Sequence, residues 1–150
     1  MKLSDVKLPL GGMPTATLLT AGQPTPADFE ALAAAGLKHV VNLRPTSEDA
    51  GFDEAALAAK LGLSYTVVPV AGPGDLTLAR ARELDAAMNK TGNEPTLVHC
   101  ASSNRVGALL ALRAAWVQGQ PTDQALALGR AGGLTKMEAA VQQLLQSAPA

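Results

Sequence analysis

Short apolar runs rich in β-branched residues alternate along this chain with longer segments whose apolar residues recur at helical spacing. Runs of the first kind are typical of buried strands, and segments of the second kind are typical of helices packed on a core. The pattern predicts strands over residues 38–43, 64–68 and 96–99. It predicts helices between Thr25 and Gly36 and over residues 52–61, 78–89 and 106–118, with two more from about Thr122 and Thr135.

The alternation of helices and buried strands indicates the fold class. Such a pattern predicts one α/β domain whose central sheet is mostly parallel and flanked by helices. We expect this single domain to cover residues 1–150, with its core over about residues 15–146, because no repeat or linker interrupts the chain.

Two of the predicted helices begin with capping signals. Thr25 precedes Pro26, and Asp28 follows in the first turn, which is typical of a helix start. Thr135 and Glu138 have the spacing of a capping box, in which each side chain satisfies a backbone N–H group of the other residue.

Composition and charge narrow the classes of partner. The net charge is −1 and only 3% of the residues are aromatic, so neither a basic surface nor stacking platforms for nucleic acid are expected. No apolar run reaches the roughly 18 residues of a membrane span. The first twelve residues lack the pattern of a signal peptide, which favours a cytoplasmic location.

Cys100 is the single cysteine of the chain, so an internal disulfide and a multi-cysteine zinc site are excluded. The two histidines, His39 and His99, do not have metal-ligand spacing, and we expect neither a metal nor a cofactor. A lone cysteine is often a buried core residue. Its neighbours favour a chemical role here.

A predicted strand runs directly into Cys100, and a short polar loop, Arg105 and an apolar helix follow. A loop that leads into a helix N-terminus directs several backbone N–H groups at one point, where the helix dipole adds positive potential. Arg105 can donate two parallel hydrogen bonds to a tetrahedral anion. A thiol in that field should lose its proton readily, so the site would bind an oxyanion and present a nucleophile to it.

Ala101, Ser102, Ser103 and Asn104 form the predicted anion-binding loop between Cys100 and Arg105. The three polar side chains can brace the loop by bonding to backbone groups, and a hydroxyl could stabilise the thiolate. His99, directly before the nucleophile, is expected to support the loop through a backbone hydrogen bond.

This order of residues resembles the protein tyrosine and dual-specificity phosphatases, and it is most similar to the bacterial beta-lactamase-hydrolase-like phosphatases. The resemblance covers about residues 20–145. It rests on the Ala-Gly-Gln-Pro-Thr stretch at 21–25, Val-Asn-Leu-Arg at 41–44, Val-Pro-Val at 68–70 with Asp75, and Leu-Val-His-Cys at 97–100.

The resemblance implies a phosphatase-like fold and a cysteine-dependent phosphatase that forms a phosphocysteine on Cys100. Arg105 and the loop would hold the phosphate oxygens, and Asp75 would act as general acid. The substrate would be a phosphorylated protein, on tyrosine, serine or threonine, or a small phosphate ester. Asp75 has a second interpretation, as a cap of the next helix. Arg44 is interpreted as a surface residue rather than part of the pocket.

The loop departs from the usual phosphatase pattern because four residues, rather than five, separate Cys100 from Arg105. The usual glycine inside the loop is absent, and Val106 stands where a serine or threonine is usual. A four-residue loop is also similar to that of rhodanese-like sulfurtransferases, which would carry a persulfide on Cys100. A phosphate-binding pseudophosphatase is the third alternative.

Overall fold

The computed structural model describes residues 2–45, 47–48 and 50–146. Its central sheet has five strands in the order β1-β2-β5-β3-β4. The antiparallel pair is β1 with β2, and the pairs β2–β5, β5–β3 and β3–β4 are parallel. The strands are β1 (Gly12–Thr15), β2 (Leu18–Ala21), β3 (His39–Asn42), β4 (Ser64–Val67) and β5 (Thr96–His99).

Within the described residues six α-helices accompany the sheet, which confirms the predicted α/β class with a mostly parallel sheet. They are α1 (Pro26–Ala34), α2 (Glu54–Lys60), α3 (Leu78–Asn89), α4 (Asn104–Leu112), α5 (Thr122–Ala131) and α6 (Glu138–Leu145). No helix among the described residues is long and apolar enough to cross a membrane.

The core lies on both faces of the sheet because successive strand residues point to opposite sides. Val41 and Val98 pack with residues of α3, α4 and α6 in one apolar cluster. Val40 and Leu97, their neighbours in sequence, pack with residues of α1 and α2 in a second cluster. β5 is therefore covered on both sides, and all four of its residues are buried.

The parallel strands are in register, so their carboxyl ends meet at one edge of the sheet. Ala21 pairs with His99, His99 with Asn42, and Asn42 with Val67. In open α/β sheets this edge is where ligands bind. Cys100, the next residue after β5, therefore lies at the centre of that edge.

Three features differ from the sequence prediction. The pattern did not predict β1 or β2, although β2 neighbours the central strand. The helix after Arg105 begins two residues earlier, at Asn104, and its last turns form a π-helical segment, Arg113–Val117. Trp116, in that segment, packs against the core as a partly buried residue.

The predicted capping box at Thr135 and Glu138 is wrong. The residue that precedes α6 is Met137, whose own side chain makes no capping hydrogen bond. The Glu138 carboxylate instead accepts a hydrogen bond from Arg130 Nε at 2.6 Å. The predicted helix start at Thr25 is confirmed, since Thr25 caps α1 and exchanges hydrogen bonds with Asp28 at 3.1 and 2.9 Å.

Candidate active site

The peptide of Cys100 is anchored between two strands, and its side chain has no exposed surface. The Cys100 N–H donates to the Ala21 carbonyl at 3.2 Å, which continues the ladder between β5 and β2 by one residue. Burial alone would fit a core cysteine, so the chemistry depends on the groups around it.

Ser103 turns the chain from the strand into α4. Its φ is +68°, in the left-handed region where glycine is ordinarily used, and it occupies the place of the helix cap. The Ser103 hydroxyl does not cap the helix but donates to the Gly132 carbonyl at 2.8 Å. The first N–H groups of α4 have no acceptor inside the helix, and the Ser103 hydroxyl does not supply one either. This is the helix N-terminus that the predicted anion site requires.

The Asn104 side chain fastens the loop after Cys100 to the segment before α6. Its Oδ1 accepts from the backbone N–H groups of Thr135 at 2.9 Å and Met137 at 3.2 Å. Ser103 and Asn104 thus brace the loop through backbone groups, as the sequence analysis suggested for its polar residues.

The Ala-Gly-Gln stretch at 21–23 lies directly against the loop that follows Cys100. Gly22 pairs with Ser102, and a Cβ atom on Gly22 would lie 2.7 Å from the Ala101 carbonyl, which explains the glycine. The Gln23 N–H donates to that same carbonyl at 3.1 Å. This stretch therefore supports the loop by direct backbone contact.

Arg105 lies against Cys100 and is held in place by two acceptors. Its Nη1 donates to Glu48 Oε2 at 2.8 Å and to the Val70 carbonyl at 2.7 Å, and its Nη2 donates to Glu48 Oε1 at 3.0 Å. The hydrogen bond to Glu48 raises the pKa of the guanidinium, and the nearby Cys100 raises it further. The structure thus brings Cys100 and Arg105 together.

Asp75 lies in a single 3₁₀ turn, Pro73–Asp75. Its Oδ2 accepts from the Ala71 N–H at 2.9 Å. The carbonyl bound by Arg105 belongs to the same peptide group, that of Val70 and Ala71. Asp75 and Arg105 therefore flank one peptide. The helix-capping interpretation of Asp75 is wrong, because Thr77 caps α3.

The interpretation of Arg44 as a surface residue is wrong. Only 8% of its surface is exposed. Its Nη1 donates to Gln23 Oε1 at 2.6 Å and its Nε to Glu48 Oε1 at 3.2 Å. Glu48 thus accepts from both Arg44 and Arg105, and the hydrogen bond from Arg105 is the main reason that the pKa of Glu48 lies below its ordinary value.

Two carboxylates of the site were not predicted from the sequence. Glu48 lies in the loop after β3, where no pattern distinguishes it. Glu54 begins α2 and looks like an ordinary acidic residue of a first helical turn, yet it is buried and faces His99. Its burial on a short helix has no sequence signal beyond its position next to Asp53, the helix cap. The described residues contain no cluster that could hold a metal ion.

The stretch that carries Cys100 and Arg105 lies within a match to a known family. The family model of the beta-lactamase hydrolase-like protein, phosphatase-like domain, matches residues 13–117. The chain belongs to this family. The resemblance inferred from the sequence is thereby confirmed.

Proteins named beta-lactamase hydrolase-like protein share this domain. The one from Agrobacterium fabrum is 35% identical over 99 residues, which are 63% of this chain and 22% of that protein. The one from Xylella fastidiosa strain Temecula1 is 36% identical over 120 residues, which are 77% of this chain and 27% of that protein. The chain therefore spans about a quarter of the length of these relatives.

Solved structures show the same fold. A candidate phosphatase of the DUF442 family from Shewanella putrefaciens superposes with a TM-score of 0.71 at 25% identity, covering 93% of this chain and 88% of that one. Tk-PTP in its active form gives 0.68 at 17% identity, with 93% and 98% covered. The Pseudomonas aeruginosa protein TpbA gives 0.61 at 21% identity, with 91% and 81% covered. The latter two likenesses concern the fold alone.

Proposed function

We propose that this domain hydrolyses phosphate monoesters through a phosphocysteine intermediate on Cys100. The observation that carries the proposal is the position of Arg105. Its guanidinium lies near enough to Cys100 to interact with it electrostatically and is fixed by Glu48 and the Val70 carbonyl at the edge of the sheet. A guanidinium that is ordered before substrate arrives loses less entropy when a phosphate binds it.

In the first step the Cys100 sulfur would attack phosphorus, and the bond from phosphorus to the ester oxygen would break. Arg105 and the N–H groups of the loop would hold the other phosphate oxygens. The leaving oxygen would take a proton from Asp75. In the second step water would attack phosphorus, give its proton to Asp75 and release phosphate and the thiolate.

Asp75 is the better candidate for the general acid of the two carboxyl groups near Arg105. Glu48 is engaged by both Arg105 and Arg44, and the hydrogen bonds from these residues lower its pKa and so oppose its protonation. Asp75 makes no ion pair among the described residues and lies on the loop that carries the peptide bound by Arg105.

The surface beside the loop favours a small or flexible substrate. A largely apolar cavity of about 440 Å³ adjoins Ser102, Ser103 and Asn104. Leu10 and Lys136 line it, and none of its lining residues is aromatic. Because these walls offer no aromatic face to a phosphotyrosine ring, phosphoserine, phosphothreonine and small esters are the first substrates to test. Phosphotyrosine should be tested beside these substrates because a TpbA variant was crystallised with it.

The test is p-nitrophenyl phosphate hydrolysis by the wild type under reducing conditions, with acid-quenched samples taken for mass spectrometry. Hydrolysis that vanadate blocks, with a phosphoryl group on Cys100, would support the proposal. The four-residue loop keeps sulfur transfer as a second candidate. A gain of one sulfur on Cys100 after thiosulfate, without phosphate hydrolysis, would replace the proposal. Phosphate binding without turnover would indicate a pseudophosphatase.

Asp75→Asn is expected to slow turnover of p-nitrophenyl phosphate by about a hundredfold, the usual contribution of a positioned acid. The loss should be smaller for esters with better leaving groups, because these need less protonation. The asparagine can keep an acceptor for the Ala71 N–H, so the melting temperature should change little. Lower stability with unchanged turnover would contradict the acid role. Glu83→Gln, at an exposed carboxylate of α3, is the matched control.

A further inference from the structure

The cavity of about 440 Å³ beside the loop after Cys100 has walls from two distant parts of the chain. One wall is the N-terminal turn that carries Leu10, and the other is the segment before α6 that carries Lys136. Its volume lies in the range of small-molecule sites, about 300–1,000 Å³. Neither Leu10 nor Lys136 takes part in the proposed reaction, so the cavity has no role there beyond its position.

Leu10 combines an unusual backbone conformation with an exposed apolar side chain. Its φ is +49°, in the left-handed region that leucine rarely adopts, and 66% of its surface is exposed. An apolar side chain left in water does not stabilise the fold, and the left-handed conformation has an energetic cost. Strained residues of this kind cluster at active sites and at contacts with ligands. Leu10 is therefore a candidate for contact with a ligand.

The turn that carries Leu10 is bonded to the stretch beside the loop. The Gly22 N–H donates to the Pro9 carbonyl at 2.8 Å. Gly22 also pairs with Ser102, which is a loop residue that lines the cavity. Backbone contacts therefore hold Leu10 near the loop.

Lys136 is fastened to the same loop through Asn104. The Asn104 Oδ1 accepts from the backbone N–H groups of Thr135 at 2.9 Å and Met137 at 3.2 Å, the residues on either side of Lys136. Among the described residues that line the cavity, Lys136 carries the only charge, and it is exposed. The cavity thus joins an apolar wall and a cation, and both are anchored to the loop.

We propose that this cavity binds the alcohol part of the substrate, and that the substrate is an aliphatic phosphate monoester with a second anionic group. The proposal rests on the proposed function, since the phosphate occupies the anion-binding loop. Leu10 contacts the aliphatic chain, and Lys136 pairs with the second anion. The described lining residues include no aromatic side chain, so the walls favour an aliphatic chain over a ring.

The test is the affinity of phosphonates, measured by isothermal titration calorimetry at low salt. In a phosphonate, carbon replaces the ester oxygen, so the probe is not hydrolysed and binding alone is measured. Hexylphosphonate should bind about tenfold more tightly than methylphosphonate, because each fully buried methylene adds about fourfold and the chain is only partly buried. Leu10→Asn should reduce this ratio to about twofold. Asparagine adopts a positive φ more readily than leucine, so the turn should remain.

Met13→Gln is the matched control for Leu10→Asn. Met13 is also an exposed apolar residue, at 41%, but it lies in β1 and lines a different cavity. Its ratio of affinities should equal that of the wild type. Equal affinities of the wild type for the two phosphonates, or a ratio that Leu10→Asn leaves unchanged, would overturn the proposal.

Lys136→Gln tests the second anion. It should weaken binding of carboxypentylphosphonate, whose chain ends in a carboxylate, by about threefold, the effect of one exposed ion pair. Binding of hexylphosphonate should not change. Lys60→Gln, at an exposed lysine of α2, is the control and should alter neither affinity. An unchanged affinity for carboxypentylphosphonate, or the same loss for both probes, would show that Lys136 does not recognise a second anion.

The binding experiment and the turnover experiment can fail separately. A chain that binds the phosphonates as expected but hydrolyses no ester would refute only the proposed function. Hydrolysis of p-nitrophenyl phosphate together with equal affinities for methylphosphonate and hexylphosphonate would refute only the aliphatic subsite. A wild type that binds neither phosphonate would also overturn the subsite.

Discussion

Cys100→Ser is expected to abolish hydrolysis of p-nitrophenyl phosphate, with a loss of at least about a thousandfold. A serine hydroxyl stays protonated at neutral pH and is a far weaker nucleophile than a thiolate. The replacement is nearly isosteric, and it keeps the N–H bond from residue 100 to the Ala21 carbonyl. The fold and the anion-binding loop should therefore remain.

Comparing the serine variant with the wild type separates a loss of catalysis from a loss of anion binding. The serine variant should retain the melting temperature of the wild type and should still be stabilised by added phosphate or vanadate, because Arg105 and the loop are unchanged. Residual hydrolysis at the wild-type rate would place the nucleophile elsewhere. A variant that has lost both activity and anion binding would show that the side chain of Cys100 acts as a structural residue.

Arg105→Lys is expected to lower kcat/KM by about a hundredfold to a thousandfold. An ammonium group cannot donate two parallel bonds to a phosphate, and it cannot keep all three contacts that fix the guanidinium to Glu48 and Val70. Charge-assisted hydrogen bonds contribute about 1.5–3 kcal/mol each, so the loss of one or two of them gives this range.

Arg113→Lys is the matched control for that variant. Arg113 follows α4 and has 12% of its side chain exposed, against 13% for Arg105. It also pairs with a carboxylate, that of Asp85, at 2.9 Å. The control should lose some stability but keep the wild-type kcat/KM. Equal losses of activity in the two variants would mean that Arg105 acts through stability and not through phosphate binding.

Several elements of the fold were predictable because their signals are local. The bounds of α3 and β5 agree with the prediction at both ends, since Thr77 caps the helix and β5 is a short apolar run between Pro95 and Cys100. β2 was missed because its four residues follow closely on the preceding strand and carry no distinct boundary. The capping box at Thr135 was wrong because Asn104, distant in sequence, binds the Thr135 N–H.

By itself, the sequence determined the order of strand, Cys100, loop, Arg105 and helix. That order lies within one short stretch, where backbone geometry relates each residue to the next, so the proposed anion-binding site could be inferred without the fold. Only the tertiary structure decided which groups act on these residues. Glu48 reaches Arg105 across 57 positions, and Glu54 reaches His99 across 45. Such pairs form because parallel strands end at one edge of a sheet, and their partners depend on how loops and helices pack there.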